Sequence, residues 1–140
     1  MDNYRVFLRF TISGDDLNLE QIRNDITVES KIFVKGSLVE YNFPRKNYKP
    51  KYQKTNRWVF SLESSGSKSL NDVIKRMYGC LKNSMADIAR YSAKYHSLLD
   101  IVVYVNSEKP ISKYNTVLSK SSLKIISKLN TKLSLTVLDW

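Results

Sequence analysis

YRVFLRFTIS, residues 4–13, decides the fold. Tyr4, Val6, Leu8, Phe10 and Ile12 stand at every second position, with Arg5, Arg9 and Thr11 between them. Strand side chains alternate between two faces, so the stretch predicts a half-buried β-strand. GDDL follows at 14–17. Gly14 suits a tight exit, and Asp15 or Asp16 can cap a helix carrying Leu17, Leu19, Ile22 and Ile26. Capping accounts for the two adjacent aspartates better than metal binding, because no further carboxylate or histidine stands nearby at ligand spacing.

Residues 30–41, SKIFVKGSLVEY, predict a short strand, a turn at Gly36 and a second short strand. RWVFSLES at 57–64 alternates again, with Trp58, Phe60 and Leu62 on one face. Ser69 followed by Asp72 has the form of a capping box. Leu70, Val73, Ile74, Met77, Leu81, Met85, Ile88, Tyr91 and Tyr95 then predict one long amphipathic helix over about 70–95. Gly79 is the expected point of a kink or split. SLLDIVVYVNS at 97–107 is apolar on both faces and predicts a central, two-sided strand ended by Pro110. Residues 119–130 predict a helix with Leu123, Ile126 and Leu129 inward and Asn130 as its stop. TKLSLTVLDW at 131–140 predicts a closing strand with Leu133, Leu135 and Val137 on one side.

The sum is one α+β domain over 1–140, in the order β-α-β-β-α-β-α-β. A largely antiparallel β-sheet is covered on one face by two main helices, as a sandwich of ferredoxin-like type. A basic loop, 42–57, is inserted between strands. The chain's 140 residues suffice for a sizeable core, and four glycines and three prolines argue against a low-complexity segment.

The pattern resembles the DUF4279 family, a bacterial domain of unknown function. The residues that carry the resemblance are FTISGDDLNLEQI at 10–22, Lys35 and Gly36, WVFSLES at 58–64, and VLSKSSLKIISKLNTKLSLTVLDW at 117–140. It implies the fold and no catalytic residue. Small bacterial domains of this kind stand beside toxins as immunity proteins, and that association supplies the expectation for function. The net charge of +10 and the basic 45–57 segment depart from the family pattern.

Most enzyme signatures are missing. Cys80 is the one cysteine, so no disulfide and no cysteine-based zinc site is expected within the chain. His96 is the one histidine, expected to interact with a helix C-terminus. A relay through His96, Ser97 and Asp100 lacks a nucleophile-elbow pattern. Carboxylates can still meet in three dimensions, for instance Glu40, Glu63 and Asp100, but nothing in the sequence points to such a pairing. No phosphate-binding glycine loop can be written. The expectation is a non-enzyme with no cofactor and no metal.

No apolar run reaches the roughly 18 residues of a membrane span. The opening MDNYRVFLRF lacks the apolar core of a signal peptide. A cytoplasmic protein is expected, from a bacterium with an AT-rich genome given the lysine and asparagine content.

The 23 basic residues outnumber 13 acidic ones. Such a chain attracts acidic partners and polyanions through salt-screened forces. One cluster is Arg45, Lys46, Lys49, Lys51, Lys54 and Arg57, interleaved with Tyr48 and Tyr52. Tyrosines among cations suit interface hot spots and equally suit stacking on single-stranded bases. A second is Lys120, Lys124 and Lys128, one row on the last helix, with Lys132 beyond. Like charges four apart repel by about 0.2–0.5 kcal/mol per pair, so the row is mild evidence for an acidic partner. The expected function is an immunity-type binding protein that neutralises a partner toxin domain. The alternative is nucleic-acid binding through the 45–57 loop and the lysine row.

Overall fold

The computed structural model describes residues 4–39, 49–65, 69–105 and 117–139. The alternating stretch that opens the chain becomes β1 (Tyr4–Gly14), the middle strand of five. β3 (Asn56–Ser65) and β4 (His96–Val105) pair antiparallel with it on either side. β2 (Lys31–Phe33) lies antiparallel outside β3. β5 (Lys132–Asp139) lies parallel outside β4. The order is β2-β3-β1-β4-β5, an open mixed sheet with three antiparallel pairings and one parallel. A parallel pairing needs a crossover, which α4 (Lys120–Lys128) supplies. The expected α+β class and largely antiparallel sheet are met. The strand order does not confirm the finer, ferredoxin-like arrangement.

One face of the sheet is buried. Val6, Leu8, Phe10 and Ile12 of β1, Trp58 and Phe60 of β3, and Leu99, Ile101 and Val103 of β4 make its floor. Ile22 of α1 (Leu19–Asp25), the Leu70–Leu81 stripe of α2 (Leu70–Leu81), Ile88 of α3 (Met85–Lys94), and Ile125 and Ile126 of α4 close over it. Each fully buried side chain of this kind contributes about 1.5–3 kcal/mol. All four helices join this single cluster, and the opposite sheet face carries no described helix or strand.

Several sequence expectations change in detail. The cap of α1 is Asn18, whose Oδ1 accepts from the Gln21 amide at 3.0 Å. Asp15 instead pairs with Lys35 Nζ at 3.6 Å. The capping box at Ser69 and Asp72 forms with both arms. The long helix divides three residues beyond Gly79, where a 3-10 turn, Lys82–Ser84, separates α2 from α3. Gly79 is a helical position facing open space. Asn83 and Ser84 compete for backbone hydrogen bonds and favour a break there.

On α4 the inward residues are Ser122, Ile125, Ile126 and Leu129, while Leu123 is 50% exposed. Asn130 ends the helix at φ 52, the left-handed conformation that glycine or asparagine adopts at this position. His96 caps no helix; it opens β4 opposite Ser13, and Tyr95 takes the cap position of α3. β4 is central, yet only one of its faces is fully buried. Pro110 lies outside the described residues. Gly36 turns the chain at φ 85 after β2. The second short strand reduces to a bridge between Leu38 and Tyr52.

Candidate functional site

The sheet face that no described helix or strand covers is built from the residues that alternate with the core. Arg5, Phe7 and Arg9 of β1 stand there beside Arg57, Ser61 and Glu63 of β3 and Asp100 and Val102 of β4. Phe7 lies opposite Glu63 on one side and Val102 on the other. Lys31 and Phe33 of β2 extend the same face by pairing with Val59 and Arg57.

A groove of about 680 Å³ runs along the outer edge of β3. Phe7, Arg9, Phe33, Arg57 and Ser61 line it from the open face. Val28, Glu29 and Ser30 wall the end nearest α1, and Arg76 and Cys80 of α2 form the helix-side wall. Two arginines stand over aromatic rings here: Arg57 Cζ is 4.6 Å from the Phe33 ring centre, and Arg9 Cζ is 5.4 Å from that of Phe7. Stacking holds a guanidinium by its flat face and leaves its N–H edges available to a carboxylate. Arg57 Nη2 also donates to Gln53 Oε1 at 3.1 Å. Four cations, Arg9, Lys31, Arg57 and Arg76, meet two carboxylates in the groove, and one of those, Glu63, is paired with Arg5.

Of the sequence-predicted basic cluster, Arg57 lines the groove. Of that cluster, Lys49, Lys51, Tyr52 and Lys54 are exposed and Arg57 is half-buried. Arg45, Lys46 and Tyr48 lie outside the described residues. The arm is a continuation of the β2–β3 ladder. Gly36 N–H donates to the Gln53 carbonyl, Gln53 N–H to that of Ser37, and Val39 N–H to that of Lys51. Asn56 anchors its base, accepting from the Lys35 amide at 2.8 Å and donating to the Leu17 carbonyl at 3.1 Å. Arg57, at the start of β3, therefore joins arm to groove.

Lys120, Lys124, Lys128 and Lys132 are all exposed, and none of them lines the groove. Their helix packs beside α2, where Asn71 Oδ1 accepts from Ser122 Oγ at 2.7 Å, and it crosses over to β5. Lys128 Nζ sits 5.3 Å from the Tyr78 ring centre. Tyr78 stands on α2, the helix whose Arg76 and Cys80 form the groove wall. Sequence reasoning missed Phe7, Arg9, Lys31, Phe33 and Arg76. The available signal was Phe7, an aromatic on the polar face of an otherwise strict alternation.

The remaining candidates for chemistry stay apart. Ser97 is buried on the helix-covered face, whereas His96 and Asp100 alternate to the other, about 13 Å apart along the strand. Glu63 and Asp100 share a face but flank β1, about 10 Å across the sheet. Glu40 lies outside the described residues. Among the described residues no group of three or more His, Cys, Asp or Glu lies close enough to hold a metal. No described helix is long and apolar enough to cross a membrane.

Asp25, Arg90 and Tyr91 form a polar cluster outside the groove. Tyr91 Oη donates to Asp25 Oδ2 at 2.6 Å, and Arg90 Nη2 donates to the same oxygen at 3.2 Å. The tyrosine hydrogen bond above all, with Arg90 alongside, holds the Asp25 carboxyl below its usual value. Burial, then the Asp25 hydrogen bond, push the Tyr91 hydroxyl up to about 12. The cluster ties the end of α1 to α3, a structural role.

The family model of a domain of unknown function, DUF4279, matches residues 2–140. No curated protein and no solved structure matches the chain. With essentially its whole length matched, the chain belongs to the DUF4279 family.

Proposed function

We propose that this DUF4279 protein is a non-enzymatic binding module for an acidic protein partner, of the immunity type, which neutralises a toxin domain by covering it. The observation that carries the reading is the groove in which Arg57 and Arg9 stand over Phe33 and Phe7. Aromatic and arginine side chains side by side make the contact points on which protein interfaces depend most. The basic arm at Lys49–Lys54 extends the same surface and adds long-range attraction for an acidic partner.

The test is co-purification of the tagged full chain from its own cells. The expected result is an acidic polypeptide held on the protein and released as salt rises. Recovery of nucleic acid alone, with no polypeptide, contradicts the reading. A toxin function for the recovered polypeptide is tested by expressing it with and without this protein and measuring cell growth.

A further inference from the structure

We propose that the outer edge of β3 that no described strand pairs takes up an acidic, extended segment of the partner as an added β-strand. The proposal rests on the partner-binding reading above and specifies how that groove is filled. β2 stops early: its last pairing is Lys31 with Val59. β3 continues to Ser65. The chain before Lys31 turns away through Val28–Ser30 and forms only the end wall. The lane beside Ser61–Ser65 therefore holds no described strand, and the groove runs along it as far as Glu63. Five residues of strand span about 17 Å, room for a short added strand.

A free edge offers backbone N–H and C=O groups at alternate residues and is a template for another chain. The Glu63 carbonyl accepts from Arg76 Nη1 at 3.2 Å, so Glu63 turns its backbone bonding groups to this lane and not to β1. Strand alternation directs those of Ser61 the same way.

Charge selects the occupant. An incoming strand would set alternate side chains on the two sides of the sheet. On the open side they meet Lys31 and Arg9, and on the other they meet Arg76 beside Leu62 and Val28. Glu63 is already paired with Arg5, and Glu29 at the end wall is the one other carboxylate lining the groove against four cations, so positive charge is left over. A strand alternating acidic and apolar residues complements both sides, and a basic strand is repelled.

Cys80 supplies the reporter. It is the chain's only cysteine, is exposed, and lines the groove from α2. The experiment titrates the full chain with capped Glu-Val-Glu-Val-Glu-Val. It follows iodoacetamide labelling of Cys80 and hydrogen exchange at the Ser61 and Glu63 amides. The expected result is slowed labelling and slowed exchange. The same peptide N-methylated at alternate residues, and Lys-Val-Lys-Val-Lys-Val, are expected to do neither. Lys31→Glu with Arg76→Glu is expected to abolish the protection while leaving the circular dichroism unchanged. Binding of the acidic peptide without protection of Cys80 and the two amides overturns strand addition, as does equal protection by the N-methylated peptide. An absence of any protection overturns it too, and the co-purification result then decides the partner reading separately.

Discussion

Asp25 and Tyr91 show how single residues set the response of this fold to pH. A carboxyl held low in the folded state stabilises it above the unfolded value, and that contribution is lost as pH falls through the folded one. Asp25 therefore acts on the acid limb. A hydroxyl held high in the folded state behaves in the opposite sense. Its contribution is complete below the unfolded value of 10.0 and is lost as pH rises toward about 12. Tyr91→Phe is expected to remove the part of the alkaline decline between those values and to shift the acid limb upward, read by urea unfolding across pH. A variant with both limbs unchanged would dissociate the hydrogen bond from stability. At this scale the sequence was legible for capping at Ser69 and Asp72, because both ends of that interaction are three residues apart. The Asp25–Tyr91 bond joins residues 66 apart, and Asn56 reaches back 39 to Leu17. Such partners carry no local signature.

Elements were legible wherever periodicity met a full set of neighbours. β1 alternates strictly because it is central and covered on one face, and α2 follows its apolar stripe. The errors fall where two local choices compete. One continuous stripe from Leu70 to Tyr95 concealed the 3-10 turn, because residues on both sides of it reach the same core. Leu123 was assigned inward by its spacing from Ile126, while Ile125 took that place. Two substitutions test the account of α2. Ser69→Ala removes the capping hydroxyl and is expected to destabilise by about 1 kcal/mol. Gly79→Ala adds a methyl where nothing lies within 4 Å and is expected to stabilise by about 0.5–1 kcal/mol. Both are read from urea midpoints at constant slope. A destabilised Gly79→Ala would place a bend in α2 that the present description lacks.

The described residues form a two-layer sandwich in which they leave one sheet face and one part of a strand edge uncovered. Composition announced a basic protein and the loop cluster announced part of its surface, but neither identified the groove. The groove arises because β2 is three residues long against the ten of β3, a length difference that appears only once the strands are paired. Its cations come from β1, β2, β3 and α2, so their proximity depends on the sheet order. Attraction between exposed charges is screened by salt, so partner affinity is expected to fall as ionic strength rises, chiefly through slower association. The most direct measurement compares the affinity of the co-purified polypeptide for three forms of the protein: unaltered, Phe33→Ala with Arg57→Glu, and Lys120→Ala with Lys124→Ala and Lys128→Ala. The account predicts that the groove pair abolishes binding while the α4 triple retains it. Binding that survives the groove pair and disappears with the α4 triple would contradict it.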